Sequence, residues 1–321
     1  MVQYKWNLVE KKTMGDLAIG IINTLVLIIG VILGVSCNLW IVYINLEDWR
    51  RGFHRSPADQ ILSFMALINA SIQVMICFDM SSTTTRFYDI FDSIHLRIID
   101  VEIFLISCNM WFTAWLSVYY YMKIVSFTGG LLLVLKMRIS KLLPKLMVMS
   151  TVGSFVIALP SCWSIYTDEE TIGNATYNSI ESLIISSPYL ITAFVGCIIL
   201  LILTLLPIGL TLRSLWRHMK RMKVSSVVSS RPQTQAHVTA ARTMVLLVTL
   251  HTIFNAVSIY VLFRSFNFVD ISIVFCGYFI VLYPTFQALV MITGNSKLKK
   301  AGRDILRCGG TWCGARVIDH E

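Results

Sequence analysis

Two sets of polar residues inside long apolar segments are the candidates for chemistry in this sequence. Glu102, Asn109 and Thr113 recur at spacings of seven and four residues, so a helix puts them on one face. A carboxylate at membrane depth costs about 2.5–3.5 kcal/mol on insertion scales, and it therefore needs a protein partner or a wet cavity. Glu102 can pair with Arg97 or another base. Alternatively it lines a ligand cavity, where it favours cationic or hydrogen-bond-donating ligands.

The second set is His251 and Asn255, which lie four residues apart and therefore share a helical face. A single histidine in such a segment is commonly a hydrogen-bonded structural residue, and the alternative is a role in ligand binding or switching. Asn38, Asn69 and Gln73 also lie deep in apolar segments. Amides at such positions are usually satisfied by neighbouring helices, which is what we expect of these three.

Catalytic and cofactor motifs are missing from the sequence. It contains no His-Glu-x-x-His, Walker loop, serine-nucleophile elbow or pair of intramembrane aspartates. No lysine lies between Asp270 and Asn295, which excludes a retinal Schiff base in that segment. The spacing of Cys308 and Cys313 is a poor zinc signal. We therefore expect no enzyme activity, no cofactor and no metal site.

The composition indicates that membrane-spanning helices carry these residues. Hydrophobic residues make up 56% of the 321 residues, and charged residues make up 14%. A span requires about 20 apolar residues. Seven such windows are predicted, at residues 17–44, 58–78, 98–125, 143–165, 182–212, 238–263 and 270–293. The predicted fold is an all-α membrane protein with a seven-transmembrane helix bundle.

The distribution of charge predicts the orientation of the chain. Loops on one side of the spans carry 21 Lys and Arg against 6 Asp and Glu, and the other side carries 6 against 12. The positive-inside rule puts the basic side in the cytosol, the N-terminus outside and the C-terminus inside. The net charge of +9 then requires no nucleic-acid partner. The predicted regions are an extracellular N-terminus at 1–16, the transmembrane domain at 17–293 and a cytoplasmic tail with a short amphipathic helix at 294–321.

Two further features follow from this topology. The sequon Asn69-Ala70-Ser71 lies within a span, so Asn174, in an outer loop, is the predicted glycosylation site. The basic, amphipathic segment 136–145 lies on the inner side, where membrane lipid of negative charge is an expected partner.

Short motifs at the inner ends of several helices occur together. They are Asn38-x-Trp40-Ile41, Asn45-x-x-Asp48-Trp49, Asp59-x-Ile61-Leu62, the block Trp111 to Ile124, Leu135-Lys136-x-Arg138-Ile139, Ser214-Leu215-Trp216-Arg217-His218, Pro232-x-Thr234-x-x-His237 and Gly294-Asn295-x-Lys297-Leu298-Lys299. In this combination, over about residues 34–305, the chain resembles the type 2 (bitter) taste receptors. That family consists of seven-helix G-protein-coupled receptors, and Asn174 lies where its members commonly carry a glycan.

The chain departs from the family pattern at several positions. It has Asn69 for an arginine, Gln287-Ala288 for a His-Ser pair, His251 for a tyrosine, and Glu102 and Ile106 for a pocket tryptophan and asparagine. These departures indicate a divergent member, and a non-mammalian source is compatible with them. They leave the switching network and the ligand preference open.

The resemblance implies a chemosensory receptor in the plasma membrane that binds small bitter compounds, cationic ones if Glu102 lines the pocket. Binding would favour a state in which helix six moves outward. The residues expected to line the cavity are Glu102, Ile103, Ile106, Asn109, His251, Phe254, Asn255, Gly277 and Ile280.

The resemblance also implies a heterotrimeric G protein of the Gi or gustducin type as partner on the inner face. The residues expected to contact it are Tyr120, Lys123, Arg138, Arg217, His218, Lys220, His237 and Arg242.

Two alternatives remain at this point. A vomeronasal type 1-like pheromone receptor would share the general layout, although the motifs beginning at Ser214 and Asn295 favour a taste receptor. A small-solute transporter would predict internal repeats and ion-bearing broken helices, and the sequence has no internal repeat.

Overall fold

The computed structural model describes most of the chain. The described residues are 2–53, 56–84, 88–125, 129–172, 198–199, 201–214, 216, 231–264 and 271–308. Side chains are described within 24–77, 101–156, 198–216, 238–260 and 275–304, with short gaps.

Every regular element in the described part of the chain is an α-helix. In chain order the helices are α1 Val2–Arg50, α2 Pro57–Thr84, α3 Tyr88–Ile124, α4 Leu131–Ile172, α5 Leu201–Ser214, α6 Arg231–Arg264, α7 Ile271–Gly294 and α8 Ser296–Cys308. The all-α prediction is confirmed for these residues. The helix α1 also includes 2–16, the stretch that the sequence assigned to the extracellular N-terminus.

Five helical segments among the described residues are long and apolar enough to cross a membrane. They are Thr24–Arg50, Pro57–Cys77, Val101–Ile124, Val238–Tyr260 and Phe275–Gly294. They correspond to predicted spans one, two, three, six and seven. Predicted span four lies within α4, whose side chains are described only to Val156, and α5 covers part of predicted span five.

The distribution of polar and apolar side chains is that of a membrane bundle. Large apolar residues such as Ile32 and Phe275 are exposed on the outside, while Asn38, Asn69 and Gln73 are completely buried. In hydrocarbon each polar group needs a protein partner, so the amides turn inward and the aliphatic side chains face lipid.

Local sequence signals define where two of the helices begin. The Ser56 hydroxyl accepts a hydrogen bond of 3.1 Å from the backbone N–H of Asp59, and Pro57 occupies the first helical position. The side chain of Asn295 accepts bonds from the N–H groups of Lys297, at 3.0 Å, and Leu298, at 3.5 Å. Asn295 therefore caps α8 and separates it from α7.

The bundle is organised around α2, α3 and α7. The helix α7 packs against α1, α2, α6 and α8, and α3 packs against α2, α4 and α6. One large apolar core connects these helices. Its most deeply buried members include Ile41, Met65, Leu116, Leu247 and Met291, contributed by α1, α2, α3, α6 and α7 respectively.

A group of charged and amide residues fixes α8 against the inner ends of α1 and α2; we call it the inner cluster. The ammonium of Lys297 lies 2.7 Å from Asp48 Oδ2 and donates to Asn45 Oδ1 at 2.8 Å. Asp59 Oδ2 lies 3.8 Å from the same ammonium, and Asn295 Nδ2 donates to Asp59 Oδ1 at 3.5 Å. Three of the separate sequence motifs therefore meet in the inner cluster.

Replacing Lys297 with Met is expected to destabilise the folded chain by about 1–3 kcal/mol, because the carboxylate of Asp48 loses a short, partly enclosed cationic partner. The measurement is the midpoint of thermal unfolding of the purified chain in detergent. Lys299→Met is the matched control, since Lys299 is an exposed lysine on the same helix. Equal stability of the two variants would contradict the inner cluster as a structural contact.

Candidate functional site

Four buried amides form a continuous hydrogen-bonded network at the centre of the bundle; we call it the amide network. Asn109 Nδ2 on α3 donates to Asn69 Oδ1 on α2 at 2.8 Å and to Gln287 Oε1 on α7 at 2.9 Å. Asn69 Nδ2 donates to Asn38 Oδ1 on α1 at 3.3 Å. All four side chains are at most 3% exposed. The interhelical role expected of Asn38 and Asn69 is therefore confirmed.

The amide network is extended by bonds to backbone carbonyls of α1 and α7. Asn38 Nδ2 donates to Gly34 O at 2.9 Å and to Pro284 O at 3.4 Å. Gln73 Nε2 donates to Thr285 Oγ1 at 2.6 Å, and Thr285 donates to Gly30 O at 3.0 Å. Pro284 has no N–H, so α7 lacks the helical hydrogen bond to the carbonyl of Ile280, and the bonds to Pro284 O and Thr285 attach the same segment to α1 and α2.

Gly34 allows α1 to approach this polar group closely. A Cβ atom at Gly34 would overlap the Thr285 hydroxyl and the side-chain amide of Gln73. A larger residue would therefore separate α1 from α2 and α7 at the level of the amide network.

A small cavity lies beside the amide network, between α2, α3, α6 and α7; we call it the central cavity. Its volume is about 20 Å³, enough for about one water molecule. The lining is mostly apolar with three polar side chains. The lining residues are Ile72, Ile76, Ile106, Asn109, Met110, His251, Phe254, Ile280, Tyr283 and Pro284.

On one side of the central cavity, a polar and an aromatic contact connect α6 with α7. His251 Nδ1 lies 3.1 Å from the hydroxyl of Tyr283, and both side chains are buried. The rings of Phe254 and Tyr283 have centroids 4.2 Å apart. His251 thus has a structural partner and also borders the cavity, so the structure contains features of both roles considered for it.

The structure brings five of the nine predicted pocket residues together around the central cavity. They are Ile106, Asn109, His251, Phe254 and Ile280. The other four do not line it. Asn255 is buried and donates to the carbonyl of His251 in its own helix at 2.8 Å. Gly277 is half-buried, and a Cβ there would meet no atom within 4 Å.

Glu102 and Ile103 lie about one helical turn further along α3 from the central cavity, toward the predicted outer end. Both are half-buried, and Glu102 Oε1 is fully enclosed. The side chain of Arg97, the suggested internal partner, lies outside the described side chains. Both interpretations of Glu102 therefore stay open.

Five lining residues were not predicted from the sequence: Ile72, Ile76, Met110, Tyr283 and Pro284. Ile72, Ile76 and Met110 are indistinguishable in the sequence from ordinary lipid-facing or core residues of an apolar helix. The Tyr283-Pro284 pair contains the one proline inside α7, which permits a kink. The position of Tyr283 opposite His251 depends on the register between α6 and α7. This register cannot be derived from a single sequence.

The residues predicted to contact a G protein occupy the inner ends of several helices. Lys123, Arg138 and Arg242 are exposed, on α3, α4 and α6. The Lys123 ammonium lies 5.8 Å from the ring centroid of Tyr119. The remaining basic candidates, Arg217, His218, Lys220 and the side chain of His237, lie outside the described residues, as does the predicted glycosylation site Asn174.

Tyr120 is half-buried and lines a second small cavity, of about 10 Å³, between the inner parts of α3, α5 and α6. Ser117, Thr211 and Met244 are among its other lining residues. The contact between these three helices therefore contains a small void at this level.

Within the described side chains, no group of three or more His, Cys, Asp or Glu residues could hold a metal ion.

Two of the departures from the family pattern belong to the same structural unit. Asn69 stands where the family pattern has an arginine and Gln287 where it has the histidine of the His-Ser pair, and the structure connects both through the side-chain amide of Asn109. A charged residue at the centre of the bundle would require a compensating partner. Neutral amides at both positions satisfy each other.

Comparisons with known proteins agree with the resemblance. The family model described as "Taste receptor protein (TAS2R)" matches residues 14–309. Taste receptor type 2 member 39 of Macaca mulatta is 30% identical over 281 residues, which cover 85% of this chain and 82% of that protein. The human member 39 is 28% identical over 86% of this chain and 83% of its own length. Taste receptor type 2 member 40 of Gallus gallus is 27% identical over 86% and 91%.

The amide network predicts measurable coupling between Asn69 and Asn109. Asn109→Leu leaves amide groups of Asn69 and Gln287 without their partner, and a double-mutant cycle with Asn69→Leu should give a coupling of about 0.6–1.7 kcal/mol, the range for hydrogen bonds between membrane helices. The measurement is unfolding of the purified variants in mixed micelles.

Ser71→Ala is the control partner for this cycle, because Ser71 is exposed on α2 and donates within its own helix to Leu67 O. Its effect should add to that of Asn109→Leu. If the effects of Asn69→Leu and Asn109→Leu also add, the two amides do not interact.

Proposed function

Because this chain belongs to the TAS2R taste receptor family, we propose that it is a bitter receptor that binds small compounds in the helix bundle and activates a heterotrimeric G protein of the Gi or gustducin type. The family places the chain among seven-transmembrane receptors, which confirms the predicted fold class and decides against the vomeronasal and transporter alternatives. The relatives are receptors and not enzymes.

The observation that carries the ligand-binding part of the proposal is the central cavity. Residues from α3, α6 and α7, chosen from the sequence alone, converge there with Asn109, His251 and Tyr283 as polar groups. An apolar lining with a few fixed polar groups is the usual composition of a small-molecule site. The polar groups would orient the ligand, and Ile106, Phe254 and Ile280 would supply apolar contact.

The size of the central cavity implies that the bundle rearranges when a ligand binds. Pockets for drug-sized molecules are roughly 300–1,000 Å³, whereas this cavity holds about 20 Å³. A ligand that inserts between α3 and α6, or that takes the place of Tyr283 at His251, weakens the contact that holds α6 on α7. It then favours an outward position of α6 by its higher affinity for that state.

The inner face would receive the G protein. Lys123 and Arg242 are exposed cations at the inner ends of α3 and α6. The small void at Tyr120 lies between α3, α5 and α6. Outward displacement of α6 would open this space to a helix of the partner. Arg138 on α4 would contribute from the side, together with Arg217, His218, Lys220 and His237.

We place the receptor in the plasma membrane, where a glycan on Asn174 would lie outside the cell. The experiment that tests the function is a calcium or cAMP response in cells that co-express this chain with a gustducin-like or promiscuous G protein. The cells are exposed to cationic, neutral and anionic bitter compounds. Silence to all three sets, with surface expression verified, would contradict the proposal.

Glu102→Gln tests whether Glu102 contributes a counter-charge to the ligand. A cationic agonist should lose about tenfold in potency, because a charge-assisted hydrogen bond is replaced by a neutral one, while a neutral agonist should keep its potency. The measurement is the ratio of half-maximal concentrations for the two agonists, at matched surface expression. An unchanged ratio would assign Glu102 to internal pairing.

Lys123→Ala and Arg242→Ala test the G-protein surface. Each variant should weaken coupling about fivefold, since an exposed charge at an interface contributes about 1 kcal/mol. The measurement is the G-protein concentration that gives half-maximal nucleotide exchange at saturating agonist. Arg50→Ala is the control, because Arg50 is an exposed inner arginine that pairs with Glu47 in its own helix. Equal effects of all three variants would indicate nonspecific electrostatics.

A further inference from the structure

A large apolar groove lies on the outside of the bundle, between α2, α3 and α4; we call it the lateral groove. Its volume is about 580 Å³. It is separate from the central cavity and shares no lining residue with it. The lining residues are Gln60, Phe64, Ile68, Phe104, Leu105, Cys108, Phe112, Pro144, Met147, Val148, Thr151 and Val152.

The shape of the lateral groove suits a linear apolar chain. Its α2 wall runs from Gln60 to Ile68 and its α4 wall from Pro144 to Val152, so each wall is about 12 Å long. Half of the hydrocarbon core of a bilayer is about 15 Å deep, so the groove covers most of one leaflet. The exposure of Phe64 and Val148 shows that the groove opens toward the side where lipid lies.

A stripe of basic residues continues the α4 wall of the lateral groove toward the cytosolic end; we call it the basic stripe, formed by Arg138, Lys141 and Lys145. All three are exposed, and Lys141 and Lys145 border a further surface depression together with Arg138. Lys141, Lys145, Val148 and Val152 follow spacings of four, three and four residues, so they lie on one face of α4.

No acidic residue neutralises the basic stripe along α4. The helix carries no Asp or Glu between 131 and 156. Asp59, next to Gln60 on α2, faces away into the inner cluster, where it contacts Lys297 and Asn295. The basic stripe therefore presents positive charge at the inner membrane surface, directly beside the mouth of an apolar groove.

We propose that the lateral groove and the basic stripe together form a binding site for one anionic phospholipid of the inner leaflet. One acyl chain lies in the groove between Phe64, Phe112 and Val152. The headgroup phosphate and its additional negative charge contact Lys141 and Lys145. This site is independent of the bitter-ligand function, and its lipid would hold the inner halves of α2, α3 and α4 together.

The combination of the two features favours this occupant over others. A sterol would fill the groove but has no charge for the lysines. A G protein approaches from the cytosol, and the groove lies at membrane depth. A phospholipid with a neutral headgroup would gain the apolar contact alone, whereas a lysine near the membrane surface adds attraction for each anionic headgroup.

The test uses the purified full-length receptor and native mass spectrometry after equilibration with equal amounts of phosphatidylserine and phosphatidylcholine of the same acyl composition. Wild-type receptor should retain mostly phosphatidylserine. The double variant Lys141→Gln/Lys145→Gln should lower the ratio of retained serine lipid to choline lipid about fivefold for each lysine removed. Lys299→Gln/Lys300→Gln removes the same charge from exposed positions on α8 and should leave the ratio nearly unchanged.

A second variant tests the groove itself. Val152→Trp fills the apolar end with a residue that faces lipid and should reduce the retention of both lipids equally, without changing their ratio. The thermal unfolding midpoint verifies that this variant is folded.

Three results would overturn the proposal. They are an unchanged lipid ratio in the Lys141/Lys145 variant, an equal fall in the Lys299/Lys300 control, and normal lipid retention in the folded Val152→Trp variant. Displacement of phosphatidylserine from wild type by cholesterol at equal concentration would likewise overturn it in favour of a sterol.

Discussion

The requirement that every buried polar group be satisfied inside hydrocarbon is the constraint on which the architecture depends. An amide side chain left without a hydrogen-bond partner in hydrocarbon costs several kcal/mol. The centre of the bundle contains the four buried amides of the amide network. Asn109 solves this by donating to both Asn69 and Gln287, while Asn38 connects the group to α1 and to the carbonyl of Pro284. These bonds fix the relative depth of four helices, which apolar contacts alone would leave free to slide.

The same network explains why two departures from the family pattern are compatible with a folded bundle. An arginine in α2 would bring a permanent charge into the centre of the membrane, and such a residue is stable only with dedicated partners. Here the positions on α2 and α7 both carry amides: Asn69 and Gln287 each accept from Asn109, and Asn69 donates to Asn38.

The helices, the family and part of the candidate site could be predicted from the sequence, and the reasons are physical. Long apolar runs and the Asn295 cap mark helices directly, and spacing along one helix places Ile106 beside Asn109. Contacts between different helices were harder to predict from the sequence. The pairing of His251 with Tyr283, and of Lys297 with Asp48, depends on rotations and depths of separate helices. The pairing of Lys297 could have been predicted, because opposite charges occur in the three motifs at the inner ends of these helices.

Under the proposed function, the contact between His251 and Tyr283 is where a ligand in the central cavity would act on α6 and α7. On one face α7 is bonded to α1, through Thr285 to Gly30 O and Asn38 to Pro284 O, and to α2, through Gln73 to Thr285 Oγ1. On its other face α7 packs against α6, and at the central cavity the two helices meet through the polar pair His251 and Tyr283 and through the rings of Phe254 and Tyr283. Side chains change rotamer at much lower cost than a backbone carbonyl changes position, so a ligand in the central cavity can exchange partners with His251 while α7 stays in place. Under the proposed function, α7 would be the fixed reference from the cavity, through the amide network, to the inner cluster at Lys297, and a movement of α6 relative to it would open the space at Tyr120.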